Sequence, residues 1–418
     1  MRIALTSEGT RGDVAPLLAL AERFRERGHE AFLCASPDFA ADAAARQVEF
    51  HAIGRSVRKF MAEHANAVAR GGVSLLHPIR KYMAIALADQ FDRLPEVTRG
   101  ADLIIGAGLQ AAAASTAELH GIPYRYVVYC PTLLPSPEHP PVFLPLQRSM
   151  AWLNRGLWRL SRIAFNLGMR PTLNKHRGAL GLPPVPDLLD HLLSSRPVVA
   201  ADPLLGPPPS RCPLPFDQIP CLHPFDVDPL PAKLEAFLDS GSPPVYLGFG
   251  SMTDPDPAAT TRSLLDAISK AGCRALISEG WAALGGGALS EGVMQLGTVS
   301  HPALFQRVAA VVHHGGAGTT ATAARAGVPQ ILVPHLLDQH YWAQRVHRLG
   351  IGPPPIRRSR LAAGLLADTI AATLSNELVA ERAGQLGARL REGLAADPTA
   401  PFLAHDGASG SFIRPFPA

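Results

Sequence analysis

Ile3-Ala4-Leu5-Thr6 is an apolar run, and apolar side chains return at Val14, Leu17, Leu18, Ala21 and Phe24, three or four residues apart, until Gly28. The first pattern suits a strand buried on both faces, the second a helix with one apolar stripe closed by a glycine. Glu30-Ala31-Phe32-Leu33-Cys34 supplies another strand, so the chain opens on a βαβ unit. The rhythm repeats at Asp102 to Ile105, through an alanine-rich helix ending near Gly121, and at Tyr126 to Tyr129. It starts over with strands at Pro244 to Phe249, Arg274 to Ile277, Val308 to His313 and Gln330 to Pro334, and with a helix from Thr261 to Ala271. An α/β fold of two doubly wound, Rossmann-like domains facing a central cleft is the expectation.

The 418 residues suit two cores. The first domain is expected over 1–208, followed by a proline-rich linker over 209–241 with neither strand nor helix, because no period survives there. The second domain is expected over 242–397, and the tail 398–418 is read as poorly structured or draped over the surface. Residues 147–168 read as a basic amphipathic helix. Met150, Leu153, Leu157, Leu160, Ala164 and Leu167 form one stripe, and Arg155, Arg159 and Arg162 another face. The first reading is a helix whose stripe packs on its own domain. The alternative is a surface helix that meets membranes or guards the acceptor pocket.

Composition narrows the classes. Apolar residues are 47% and charged residues 18% of the chain, a globular balance. A net charge of +4 without lysine-rich or aromatic-basic runs gives no reason for nucleic-acid binding. The five scattered cysteines show no metal-ligand spacing and fit free thiols in a reducing compartment. The amino terminus reads as a strand rather than a signal peptide, and no apolar run is long enough to span a bilayer, so a cytoplasmic location is expected.

The chemistry concentrates at His313-His314-Gly315-Gly316-Ala317-Gly318-Thr319-Thr320, after a predicted strand and at the start of a helix closing at Gly327. A helix start leaves backbone N–H groups unpaired and carries partial positive charge, and small residues let phosphate oxygens approach. A tight strand-to-helix turn with no ligand is the competing reading of the glycines alone.

Running on through Ala323-Ala324-Arg325-Ala326-Gly327-Val328-Pro329-Gln330 to Asp338-Gln339, this segment resembles the donor-binding signature of the large inverting family of nucleotide-sugar glycosyltransferases, of GT-B fold. Gly248-Phe249-Gly250-Ser251-Met252, Ser278-Glu279-Gly280-Trp281 and Arg345 to Gly352 extend the likeness to bacterial natural-product (vancomycin-type) glycosyltransferases and sterol glucosyltransferases. The resemblance implies that His313, with His314, Gly316, Ala317, Gly318 and Thr319, holds the donor diphosphate, that Ser251 adds a hydroxyl to the departing phosphate, and that Asp338 and Gln339 select the hexose. It places Trp281 and the backbone near Val299 at the nucleoside. Asp13, from Gly9-Thr10-Arg11-Gly12-Asp13, becomes the general base for the acceptor hydroxyl, although an aspartate before an amphipathic helix is also an ordinary cap, whose hydrogen bonds lower a carboxyl pKa.

The function so implied is transfer of a hexose, glucose from UDP-glucose, to a hydroxyl of a lipophilic acceptor such as a sterol, polyketide or flavonoid. Fixed donors replace the metal ion, and no cofactor is expected beside the UDP-sugar co-substrate. Leu75-Leu76, Tyr82-Met83, Leu133-Leu134 and Phe143-Leu144 are candidates for an apolar acceptor rim, though most read as core. The alternatives are a nucleotide-sugar epimerase or hydrolase of the same fold and a non-catalytic helper. A dinucleotide-dependent dehydrogenase fits poorly, because Gly9-Thr10-Arg11-Gly12 lacks the Gly-x-Gly-x-x-Gly spacing.

Overall fold

The computed structural model describes residues 1–404 apart from 71–72, 146, 148–149, 223–228, 287–288 and 394–395, so most of the expected tail, 405–418, lies outside the described residues. Seven parallel strands form the first sheet: β1 (Arg2–Glu8), β2 (Glu30–Ala35), β3 (Glu49–Ala52), β4 (Leu103–Gly108), β5 (Tyr124–Val128), β6 (Val198–Ala200) and β7 (Asp217–Ile219). Their order is β3-β2-β1-β4-β5-β6-β7. The second sheet runs β10-β9-β8-β11-β12, with β8 (Val245–Gly248), β9 (Ala275–Ser278), β10 (Val293–Leu296), β11 (Ala310–His313) and β12 (Gln330–Leu332). Strands such as β8 and β11 are buried along their whole length, as parallel strands covered by helices on both faces must be. The two-domain doubly wound architecture is therefore present as expected.

Strand order reverses between β1 and β4 in the first sheet and between β8 and β11 in the second. In open parallel sheets such switch points leave a crevice beyond the carboxyl ends, because neighbouring connections leave to opposite faces. Asp13 follows β1, Gly250-Ser251 follow β8 and His314-Gly315-Gly316 follow β11, so topology puts these three turns beside a crevice.

Three expectations need correction. The stretch 209–241 is not free of structure: Asp217–Ile219 is β7, paired with β6, and Ala232–Asp239 is a helix whose Leu234 and Leu238 are buried in the second core. A three-residue edge strand bearing Asp and Gln has no period to read, since only its backbone pairing defines it. Residues from 398 onward are not merely loose, since Ala400–Leu403 is helical and Phe402 is buried in the first-domain core, edge-on to Phe24.

The third correction concerns the basic helix, which runs over Ala151–Ala179. It buries Asn154, Trp158 and Ser161, while Leu153, Leu160 and Leu167 of the expected core stripe face solvent. Polar Asn154 and the Trp158 indole find backbone acceptors at Pro137 and His139, which makes that side the packed one.

The domains touch extensively. Val57, Met61 and Val68 of the first domain join the second-domain core, and Thr253 donates to the Met61 carbonyl at 3.0 Å. Arg325 pairs with the buried Asp202 at 3.1 Å, and Arg345 donates to the Leu205 carbonyl at 2.8 Å.

Candidate active site

Asp13 is not the cap of its helix. Thr10 is the N-cap of Arg11–Glu26, and Asp13, third in the helix, returns a reciprocal bond, so Thr10 and Asp13 make a capping box. The Thr10 amide and hydroxyl donate to the same oxygen, Asp13 Oδ2, at 2.8 and 3.3 Å, which leaves Oδ1 available. The Tyr129 hydroxyl donates to the Asp13 carbonyl at 2.9 Å and ties the turn to the end of β5. Burial raises the Asp13 carboxyl to about 6 and outweighs the two Thr10 bonds that pull it down. A cap lowers the pKa of a solvated carboxyl, but here desolvation wins.

Across the cleft, the helix Ala317–Ala326 starts at Gly316 with no side-chain cap, and its first turn is half-exposed. The amides of Ala317, Gly318 and Thr319 thus carry the unpaired partial charge of a helix start. Thr320 is buried and spends its amide and hydroxyl on the Gly316 carbonyl. This helix touches Arg11–Glu26 across the domain boundary.

The two histidines differ. His313 is fully buried, accepts at Nδ1 from the Gly315 amide at 3.1 Å and donates from Nε2 to Gln330 at 2.9 Å. Both ring nitrogens thus engage neighbouring protein groups, and His313 shapes the turn. His314 lies between the turns that follow β8 and β11: a Cβ on Gly250 would meet its ring at 2.8 Å and one on Gly316 would meet Nε2 at 2.7 Å. Its Nδ1 is buried without a partner. Burial lowers its pKa to about 4, so at neutral pH the ring carries one movable hydrogen.

Ser251 is half-buried in the turn after β8, where Gly250 takes a positive φ of 58°. The cap of the next helix is Asp256, and Asp254 is held by Arg358 and Thr260, so neither serves Ser251. Asp338 begins the helix Gln339–Arg348, and its Oδ2 accepts from Trp342 at 3.0 Å. Burial raises its carboxyl to about 7, and the charge of Asp13 adds to that rise.

Gln339 is engaged within its own loop. Its Oε1 accepts from the amides of His335 and Leu336, at 2.8 and 3.1 Å, and its nitrogen faces the Met252 sulfur at 3.3 Å. It closes its own loop, leaving Asp338 as the open member of the pair.

Trp281 packs against both domains' cores and donates its amide to the Gly250 carbonyl at 2.9 Å, while Val299 lies half-buried beside the second core. Of the rim candidates, Met83 and Leu134 are buried, Leu75 and Tyr82 lean on the second-domain core, and Phe143 packs edge-on to Phe165. The side chain of Leu76 lies outside the described residues.

Sequence reading passed over Thr10, Gln330 and Glu8. The Thr-x-x-Asp spacing of a capping box signals the first. Gln330 has no local signal, since its partner His313 lies on the neighbouring strand. Glu8, at the end of β1, is buried against Tyr82 and Gln90 and is pushed up to about 7 by that burial. Among the described residues no group of three or more His, Cys, Asp or Glu could share a metal ion.

Residues 3–135 match the glycosyltransferase family 28 N-terminal domain, and residues 268–406 match the erythromycin biosynthesis protein CIII-like C-terminal domain. The vancomycin aglycone glucosyltransferase of Amycolatopsis orientalis is 40% identical over 369 residues, 84% of this chain and 85% of that protein. A sterol 3-beta-glucosyltransferase of Arabidopsis thaliana is 30% identical over 407 residues, covering 90% of this chain and 64% of its own length. The glycosyltransferase VinC, solved in complex with dTDP, superposes with a TM-score of 0.66 at 19% identity, over 94% of this chain and 96% of its own. The likeness of fold, the two matched domains and kinship over more than four fifths of the chain agree: the chain belongs to the GT-B glycosyltransferases that join a family 28 N-terminal domain to an erythromycin CIII-like C-terminal domain, close to the vancomycin-type enzymes and more distant from the sterol glucosyltransferases.

Proposed function

We propose that this glycosyltransferase moves a hexosyl group from a nucleoside diphosphate sugar to a hydroxyl of a lipophilic natural product or sterol, in one in-line displacement with inversion and without a metal ion. UDP-glucose is the first donor expected, and a thymidine diphosphate sugar competes with it because VinC was solved with that nucleotide. The acceptor class follows the names of the vancomycin aglycone and sterol relatives.

The observation that carries the reading is the Asp13 carboxyl, raised to about 6 and fixed on one helix start opposite the uncapped start of another. As the acceptor oxygen bonds to the anomeric carbon, its proton passes to Asp13 and the sugar–phosphate bond breaks. The amides of Ala317 to Thr319 take up the charge that develops on the departing diphosphate, with Ser251 and His314 alongside. A base near 6 is ionised at neutral pH yet accepts a proton more readily than an ordinary carboxylate. Asp338 takes the sugar hydroxyls, while His313 and Gln339 act by holding the turns.

The test is a matrix of donors and acceptors read by mass spectrometry, repeated in excess chelator and with Asp13→Asn. Transfer that survives chelation and falls on the order of 10²- to 10⁴-fold in the variant is expected. Unchanged turnover in the variant removes the base, loss restored by magnesium removes the metal-free scheme, and sugar release without acceptor favours a hydrolase.

A further inference from the structure

The long helix Ala151–Ala179 turns an apolar face to solvent. Trp152 is 69% exposed, Leu160 63%, Ile163 49% and Leu167 73%. Their spacing of eight, three and four residues, with Gly156 between the first two, puts them on one stripe about 22 Å long. Seven of the fifteen large hydrophobics exposed among the described residues fall between Met150 and Leu167, so this is a patch rather than the scatter found on any surface.

Charge decides what the patch fits. The helix contains no Asp or Glu in 29 residues. Arg162 and Arg177 are committed to carboxylates and Arg170 to the Pro186 carbonyl, but Arg155 and Arg159 are exposed along one edge of the stripe, with no ion pair recorded among the described residues. A second copy docked on this face would set acid-free helices and their arginines against each other. No helix among the described residues is long and apolar enough to cross a membrane.

We propose that this face lies in the interfacial layer of a bilayer containing anionic lipids, with Trp152, Leu160, Ile163 and Leu167 between the acyl chains and Arg155 and Arg159 on the headgroup phosphates. A helix parallel to the membrane, apolar below and cationic at its flank, combines burial with headgroup attraction. The indole of Trp152 suits the interface, and the arginine stems extend toward the charge.

The experiment is flotation of the full chain with phosphatidylcholine vesicles and with vesicles that also contain phosphatidylglycerol, at low and high salt. Co-flotation with the anionic vesicles alone, weakened by salt, is expected. Arg155→Gln with Arg159→Gln should lower partitioning roughly tenfold or more. Leu160→Ser with Leu167→Ser should abolish it without lowering the thermal midpoint, since both side chains are largely exposed. A blue shift of tryptophan emission on vesicle addition should vanish in Trp152→Phe. Absence of flotation overturns the proposal, as does flotation that the variants leave unchanged. A dimer in light scattering that Leu160→Ser dissolves, with no flotation, would assign the face to a second copy instead.

Discussion

At the scale of residues, the candidate site holds two half-buried carboxyls, Asp13 and Asp338. Burial raises Asp13 to about 6 and Asp338 to about 7, and the charge of Asp13 adds a smaller push to Asp338. With Asp13 as the proposed base, kcat/KM should rise with pH through about 6, and a profile flat from pH 5 to 8 would contradict that role. Stability should move the other way. Both folded-state values lie above the ordinary carboxylate value near 4, so the folded form binds protons that the unfolded chain has released. The associated stability is complete below about 4 and is lost as pH rises through 6 and 7. Denaturant midpoints at pH 5 and pH 8 check this, and Asp338→Asn should shrink the difference between them. The capping box at Thr10 and Asp13 is legible in the spacing. The division of labour between His313 and His314 is not, because it depends on Gln330 from the adjoining strand.

At the scale of elements, the donor helix Ala317–Ala326 is set in place by the helix Glu377–Glu392 behind it. The approach is close at Gly387, where a Cβ would meet the Gly327 Cα at 2.8 Å and the Ala324 carbonyl at 2.9 Å. Replacing a mid-helix glycine by alanine ordinarily gains up to about 1 kcal/mol. At Gly387 overpacking against rigid backbone should reverse the sign and cost about 1–3 kcal/mol. Gly384 in the same helix is exposed with open space around it, so Gly384→Ala should be neutral or stabilising. Urea titrations of the two variants compare them directly, and equal effects would show that the helix contact is not tight. The strands and helices of both sheets' centres were readable because buried parallel strands are continuous apolar runs. The edge strands β3, β7 and β10 were not, since they are three or four residues long and only partly covered.

At the scale of the whole molecule, the chain leaves the first domain and returns to it. Phe402 lies 4% exposed in the first-domain core, and Arg27 of that domain holds Asp397 and Thr399. The end of the described chain therefore fixes the second domain to the first. Phe402→Ala should cost about 3 kcal/mol and speed amide exchange in Arg11–Glu26, against which Phe402 packs. An unchanged midpoint would mean that the strap is dispensable.

The sequence by itself determined the two βαβ series, the glycine-rich helix start and the acidic residue at the first switch point, because periodicity, chain reversal and unpaired amides are local properties. Tertiary structure alone decided which histidine nitrogen stays free, why Asp13 is a stronger base than a capping aspartate, and which side of Ala151–Ala179 meets water. Those depend on desolvation and on partners far along the chain, and no local pattern of side chains encodes either.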